Sequence, residues 1–340
     1  MNEKQKTEFE NVLVTGGAGY VGCALVPKLL EDGHNVTVFD IMYFGDEWLP
    51  DHPNLTIIKG DIRDTQALAR AFAGIDAVLH LACISNDASF ELDEDLSTSS
   101  NLDCFEPMVT AAKDAGVKRF VYCSSSSVYG VSDAPDVTED HPLVPLTLYN
   151  KYKGMCEPLL FKHMADDFTC VTIRPATVCG YSPRTRLDLT VNILTNHAIT
   201  NGKITVFGGT QLRPNFHIQD MCDLYRLMLK APHEKIHGET FNAGYQNKSV
   251  ADIADIVRGV VEAEFPEKAP IDIVTTPSDD NRSYHINSDK IKRVLGFEAK
   301  RTIEDAVRDL CQAFRDGKLP NSMGDDTYYN VRTMKALNAT

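Results

Sequence analysis

Asn11-Val12-Leu13-Val14-Thr15-Gly16-Gly17-Ala18-Gly19-Tyr20-Val21-Gly22, near the start of this 340-residue chain, passes from a β-branched run into closely spaced glycines. The run reads as a buried strand, and Tyr20 to Asp32 reads as a helix stopped by Gly33. The glycines therefore fall on a strand-to-helix turn, where a helix N-terminus offers free backbone N–H groups and positive dipole to a pyrophosphate. Their spacing, Gly16-x-x-Gly19-x-x-Gly22, is one residue wider at its first gap than the common dinucleotide fingerprint. A second strand, His34 to Asp40, ends in an acid roughly 20 residues after the glycines, where a ribose 2′-OH would be bonded. A carboxylate there repels a 2′-phosphate, so NAD is expected over NADP. Alone, the glycines could be an ordinary turn and Asp40 a solvent-facing strand end; at this separation they point to a dinucleotide.

Strand-like runs at Thr56–Ile58, Ala77–His80, Phe120–Cys123 and Cys170–Arg174 alternate with helical stretches at Gln66–Phe72, Leu102–Ala115 and Tyr149–Ala165. That alternation predicts an α/β fold, a Rossmann-type doubly wound parallel sheet with helices on both faces and the cofactor across the carboxyl ends of the strands. After Gly180 the pattern loosens, with a helix expected at Leu189–Thr200 and a short strand at Ile204–Phe207, and the tail after Leu319 reads as polar and peripheral.

Apolar residues at 43% and charged residues at 24% are ordinary for a soluble globular enzyme, and a formal charge of −14 opposes nucleic-acid or anionic-membrane partners. Nine cysteines without a Cys-x-x-Cys pair fit reduced thiols, with no zinc site and no disulfide framework. The polar start and the lack of a long apolar run lead to the expectation of a cytoplasmic protein.

Tyr149-Asn150-Lys151-Tyr152-Lys153 carries the chemical argument. On a helix, positions i and i+4 share a face, so the Lys153 ammonium can approach the Tyr149 phenol. A nearby cation favours the phenolate, and Tyr149 is therefore expected to titrate below its ordinary value and to accept a hydroxyl proton as hydride leaves carbon.

Taken together, these residues resemble the extended short-chain dehydrogenase/reductases, the family of nucleotide-sugar epimerases and dehydratases, in the manner of UDP-glucose 4-epimerase. The opening Thr15 to Gly22 matches, as do Gly60-Asp61-Ile62-Arg63-Asp64, His80-Leu81-Ala82-Cys83 and Ser124-Ser125-Ser126-Ser127-Val128-Tyr129-Gly130. The likeness continues through Arg213 to Asp220, Gly238 to Gly244 and Leu295-Gly296-Phe297, covering roughly residues 10 to 315.

The resemblance implies a large NAD-binding domain over 1–179 with a return segment at 214–245. A smaller α/β substrate lobe is implied at 180–213 and 246–320, with a peripheral tail at 321–340. It implies Ser125, Tyr149 and Lys153 as the catalytic set. For the cofactor it implies Gly16, Gly19, Tyr20, Val21 and Asp40, then Asp61, Ile62, Leu81, Ala82 and Cys83, and finally Asn101, Ala176, Tyr149 and Lys153. For the substrate it implies Ser125, Ser126, Thr177 and Asn192, with Arg213 and Arg282 on the diphosphate. Arg184 and Arg186 could join them, although each on its own reads as a solvated loop charge. Ser126 and Ser127 otherwise read as strand-end caps.

Where the family's 4,6-dehydratases carry Asp-Glu this chain has Ser126-Ser127, and it lacks the cysteine of the 3,5-epimerases at Ser127. A nucleotide-sugar 4-epimerase, a C4 dehydrogenase or ketoreductase, and a dinucleotide-sensing scaffold on the same fold are the readings left open. The resemblance also implies a homodimer built from the helices near Leu102–Ala115 and Tyr149–Ala165.

Overall fold

The structure is a computed structural model and describes residues 8–85, 87–278 and 283–337. Its main sheet is built from β1 (Asn11–Thr15), β2 (Asn35–Asp40), β3 (Leu55–Lys59), β4 (Ala77–His80), β5 (Arg119–Cys123) and β6 (Thr169–Pro175). The chain then adds β7 (Thr177–Cys179), β8 (Lys203–Phe207), β9 (Leu212–His217), β10 (Glu239–Ala243), β11 (Gln246–Ser249) and β12 (Asp272–Thr276). Seven strands lie in the order β10-β6-β5-β4-β1-β2-β3, every neighbouring pair parallel. A parallel sheet is covered on both faces, and the near-continuous apolar runs of β1, β4 and β6 are buried throughout or nearly so.

One face packs against the Tyr20–Glu31 and Ile218–Lys230 helices through Leu25, Leu29, Leu224 and Met228. The other packs against the Thr65–Ala71, Phe105–Asp114 and Leu148–Phe161 helices through Leu68, Met108, Cys156 and Leu160. The expected elements appear with their ends adjusted. The Leu102–Ala115 stretch begins as a π-helical turn, Ser99–Asp103, before the α-helix at Phe105. The Tyr149–Ala165 stretch ends at Phe161, and Ala165 instead bridges to Phe168.

A second core joins the Thr190–Asn201, Val250–Glu264 and Ile303–Arg315 helices to the parallel pair β8 and β12. Between the two cores β9 pairs parallel with β7 and antiparallel with β11. The chain re-enters the main sheet at β10 before its last helices, so the two cores interleave in sequence.

The tail is not peripheral. Leu319, Tyr328 and Tyr329 are buried with Leu187 and Leu310, and Asn330 and Met334 are buried too. Its polar composition hid two tyrosines whose rings close an apolar cluster while the Tyr329 hydroxyl donates to the Ser322 carbonyl (2.9 Å).

Candidate active site

The turn after β1 is as tight as its glycines suggest. Gly16 has φ +73° and a Cβ there would sit 2.6 Å from the Ala82 nitrogen; at Gly22 it would sit 2.3 Å from the Gly17 carbonyl oxygen. Side chains are therefore excluded where the first turn of the Tyr20–Glu31 helix meets β1 and β4. A cavity opens over this turn along the carboxyl ends of the strands, and Gly16, Gly19, Tyr20 and Val21 form its floor.

Successive strand ends supply the rest of its wall. Asp40 comes from β2, Asp61 and Ile62 follow β3, and Leu81, Ala82 and Cys83 follow β4. Ser125 and Ser126 follow β5, Ala176 and Thr177 follow β6, and Tyr149 and Lys153 lie on the Leu148–Phe161 helix. The Asp40 carboxylate accepts the Ala18 N–H (3.0 Å) and the Met42 N–H (2.8 Å), which fixes it beside the glycine turn. Burial raises the Asp40 pKa, against the pull of those hydrogen bonds. Asp61 is pushed up by burial but held low overall by Arg63, whose Nε lies 2.9 Å from its Oδ2.

Thr147 caps the Leu148–Phe161 helix by accepting the Asn150 N–H (3.3 Å) and donates to Asp87 (2.6 Å). Lys153, buried, donates to the Cys123 carbonyl (2.6 Å) at the end of β5, which anchors the helix to the strand that presents the serines. The expected effect of Lys153 on Tyr149 is present but does not win. Burial is the largest influence and pushes the phenol above its ordinary value, Cys83 adds to that, and Lys153 pulls it down. His80 stacks on Tyr122 and contacts Thr15 Oγ1 (2.7 Å); burial, helped by Lys153, takes it down to about 3, so it is a neutral core residue.

Ser127 does more than cap a strand. Its Oγ lies 2.6 Å from Ser125 Oγ and donates to Asn150 Oδ1, so Ser125, Ser127 and Asn150 form one chain beside Tyr149. The Asn150 oxygen can only accept, so Ser127 donates to it and accepts the Ser125 proton; Ser125 also accepts the Ser127 N–H (3.2 Å), which leaves it one lone pair for a substrate hydroxyl. Asn150 was legible only as the residue after Tyr149.

Two expected contacts, Asn101 and Asn192, are spent elsewhere, and a third, Arg213, lies off the cavity wall. Asn101 exchanges hydrogen bonds with the Ile84 backbone (both 2.9 Å) and braces the loop after β4 from behind the wall. Asn192 is wholly buried, bonded to the Gly180 N–H (2.9 Å), the Arg186 carbonyl (2.8 Å) and the Tyr20 hydroxyl (3.2 Å), so it shapes the 180–189 connection. Arg213 donates to the Leu212 carbonyl (2.9 Å) and lies over Tyr284; the tyrosine, and not the arginine, is on the cavity wall. Arg282 falls outside the described residues. Arg184 and Arg186 are the reverse case: they are 3% and 8% exposed, and both line the cavity. Among the described residues no cluster of His, Cys, Asp and Glu could hold a metal ion, and no helix is long and apolar enough to cross a membrane.

A family model described as the NAD dependent epimerase/dehydratase family matches residues 12–244. A UDP-glucose 4-epimerase from Lactobacillus helveticus is 30% identical over 320 residues, spanning 87% of this chain and 94% of its own. A 3 beta-hydroxysteroid dehydrogenase/Delta 5-->4-isomerase from Mycobacterium tuberculosis is 31% identical over 270 residues, 76% of this chain and 70% of its own. Among solved structures, MoeE5 in complex with UDP-glucuronic acid and NAD superposes with a TM-score of 0.77 at 26% identity, over 90% of this chain and 99% of that one.

Proposed function

The chain belongs to the NAD dependent epimerase/dehydratase family, and on that premise we propose that it catalyses reversible oxidation at C4 of a nucleotide-linked sugar, with epimerisation ahead of net dehydrogenation. The convergence of Ser125, Tyr149 and Lys153 on one wall of the cavity, with Ser126-Ser127 in place of acids, carries this reading.

The residues present fit NAD: the glycine turn is a cradle that any Cβ would fill, and Asp40 stands beside it. NAD, when bound, would supply the hydride acceptor and, once reduced, the hydride donor for the return. Tyr149 takes the proton from the sugar hydroxyl, and Lys153 opposes the effect of burial so that the phenolate can form. Before that transfer Ser125 accepts from the hydroxyl and orients it, its own proton held by Ser127, and the hydroxyl proton then passes to Tyr149. Return of the proton from Tyr149 to the carbonyl oxygen completes either an epimer or the starting sugar. Neither Ser126 nor Ser127 can act as the acid or base of an elimination, which supports C4 chemistry over dehydration.

Thr177 and Ser126, both on the wall, are positioned for the sugar, with Arg213 and Arg282 assigned to the diphosphate as the resemblance implies. Exposed Leu148 and Met155 on the Leu148–Phe161 helix support a homodimer through that helix and Phe105–Asp114. Cytoplasmic residence belongs to the same proposal, supported by nine free thiols.

The test is a panel of UDP-, GDP- and dTDP-sugars, with a 3β-hydroxysteroid as comparator, following nicotinamide absorbance and sugar stereochemistry together. A C4 epimer without accumulated NADH supports the epimerase, and stoichiometric NADH with a keto product supports the dehydrogenase. Loss of water from the sugar, or turnover of the steroid alone, overturns both.

A further inference from the structure

Arg184 presents an unusual electrostatic situation at the cavity wall. It is 3% exposed, yet among the described residues no carboxylate lies within salt-bridge distance of it. The nearest candidates are already engaged. Asp188 holds Arg186 (2.9 Å) and accepts the Asn330 N–H (3.0 Å), while both oxygens of Asp40 accept backbone N–H groups. One face of the Arg184 guanidinium lies on Phe44, 3.7 Å from the ring centroid. Nη2 donates to Asn330 Oδ1 (2.6 Å), and Nε is buried with no hydrogen-bond partner. Burial first, and the neighbouring Arg186 second, bring its pKa down to about 9. A buried cation in this state calls for an anion, because buried charges persist when paired.

The position says which anion. Arg184 adjoins Cys23, in the first turn of the Tyr20–Glu31 helix, and lies near Asp40. Arg186, beside it, reaches Ser85 (3.1 Å) in the loop after β4. Both arginines therefore line the same cavity as the glycine turn and the N-terminus of the helix that follows it.

We propose that Arg184, seated by Asn330 of the C-terminal segment, is the counter-ion of the NAD pyrophosphate and closes the side of the anion that the glycine turn leaves open. The inference rests on the use of NAD and is independent of which sugar is oxidised. Asn330 is the positioning residue: its Oδ1 holds Arg184 while its Nδ2 donates to Ser85 (3.0 Å), tying the C-terminal segment to both sides of the site. The guanidinium's remaining donors suit phosphate oxygens, and its charge persists even where burial lowers its pKa.

The experiment measures dissociation constants by calorimetry for NAD, ADP, adenosine and NADP, on the full chain and on Arg184→Met, Arg184→Lys and Asn330→Ala. Trp48, whose Nε1 donates to the Phe44 carbonyl (3.1 Å), gives an independent fluorescence signal beside the site. Arg184→Met should weaken NAD and ADP alike by roughly ten- to a hundred-fold, the worth of a charge-assisted hydrogen bond, and leave adenosine unchanged. Arg184→Lys should recover part of the loss, and Asn330→Ala should cost roughly three- to ten-fold. Melting temperatures without ligand separate weakened binding from a damaged fold, and Asn330→Ala keeps the arginine in place should Arg184→Met not fold. Retention of NAD and ADP affinity within two-fold in both Arg184→Met and Asn330→Ala overturns the assignment. So does an equal loss of adenosine, which places the residue on the nucleoside, or a loss confined to NADP, which places it on the 2′-phosphate. A full chain that binds no NAD removes the premise, and the proposal falls with it.

Discussion

Glu157→Ala should be among the most damaging single substitutions in the large core. Glu157 and Arg174 form an ion pair at 2.6 Å with side chains only 4% and 7% exposed, and a second contact runs from Arg174 Nε to Glu157 Oε1 (2.9 Å). Ser124 also donates to Glu157 (2.6 Å), while Arg174 donates to the Tyr129 hydroxyl (2.7 Å) and the Glu139 carbonyl (3.2 Å). Removing the carboxylate strands a guanidinium in the interior with only neutral acceptors. Breaking a buried pair from one side costs about 3–5 kcal/mol. Urea denaturation followed by circular dichroism should show that loss, and Glu157→Gln, which keeps acceptors but not charge, should fall between. Replacing both partners, Glu157→Met with Arg174→Met, should restore much of the stability, because the penalty belongs to the orphaned charge more than to the pair. Turnover should fall as well, since Glu157 lies one helical turn beyond Lys153 and fastens the residue before Ser125. A loss under about 1 kcal/mol for Glu157→Ala, or a double variant as damaged as the sum of the singles, would refute this reasoning.

Tyr149→Phe should retain NAD while turnover drops by roughly 10²–10⁴, as for a lost acid–base group, with unchanged turnover as the contrary result. In the unsubstituted protein the oxidation step should rise with pH, because burial has raised the phenol and the accepting form is the phenolate. Ser127→Ala should slow the oxidation step by about five-fold, the worth of one hydrogen bond, with Ser127→Thr restoring it; stopped-flow nicotinamide absorbance reads both. His80 is neutral in the fold down to about pH 3 but takes a proton in the unfolded chain below its ordinary 6.5. Its contribution is therefore complete above 6.5 and declines by about 1.4 kcal/mol per unit as pH falls toward 3, a slope that His80→Asn should reduce by one proton. Asp40→Ser should narrow the preference for NAD over NADP, read from paired dissociation constants; an unaltered ratio counts against its placement at the ribose.

Local chemistry made most of the fold readable. The β-branched runs of β1, β4 and β6 had to be buried on both faces, and the crowding at Gly16 and Gly22 shows why no other residue fits that turn. Tyr149 and Lys153 were legible because helical spacing alone puts them on one face. Partner choice over long distances was not readable. Asn101 and Asn192 have the right type and position for ligands, but the Ile84 backbone occupies both ends of the first amide, and the Gly180 N–H and Arg186 carbonyl those of the second. Arg184 reads as loop charge until the fold brings Phe44 and Asn330 against it. The rise in the Tyr149 pKa likewise depends on burial, which spacing cannot report.

Asn330 meets Ser85 across 245 positions of sequence, and Arg184 across 146. During synthesis on a ribosome, the strand ends around the glycine turn emerge well before the segment that completes their wall. A nascent chain can thus assemble the sheet while its cofactor chamber is still missing a side. On the role proposed for Arg184, retention of the dinucleotide then depends on chain made long after every motif from Thr15 to Gly244 has emerged.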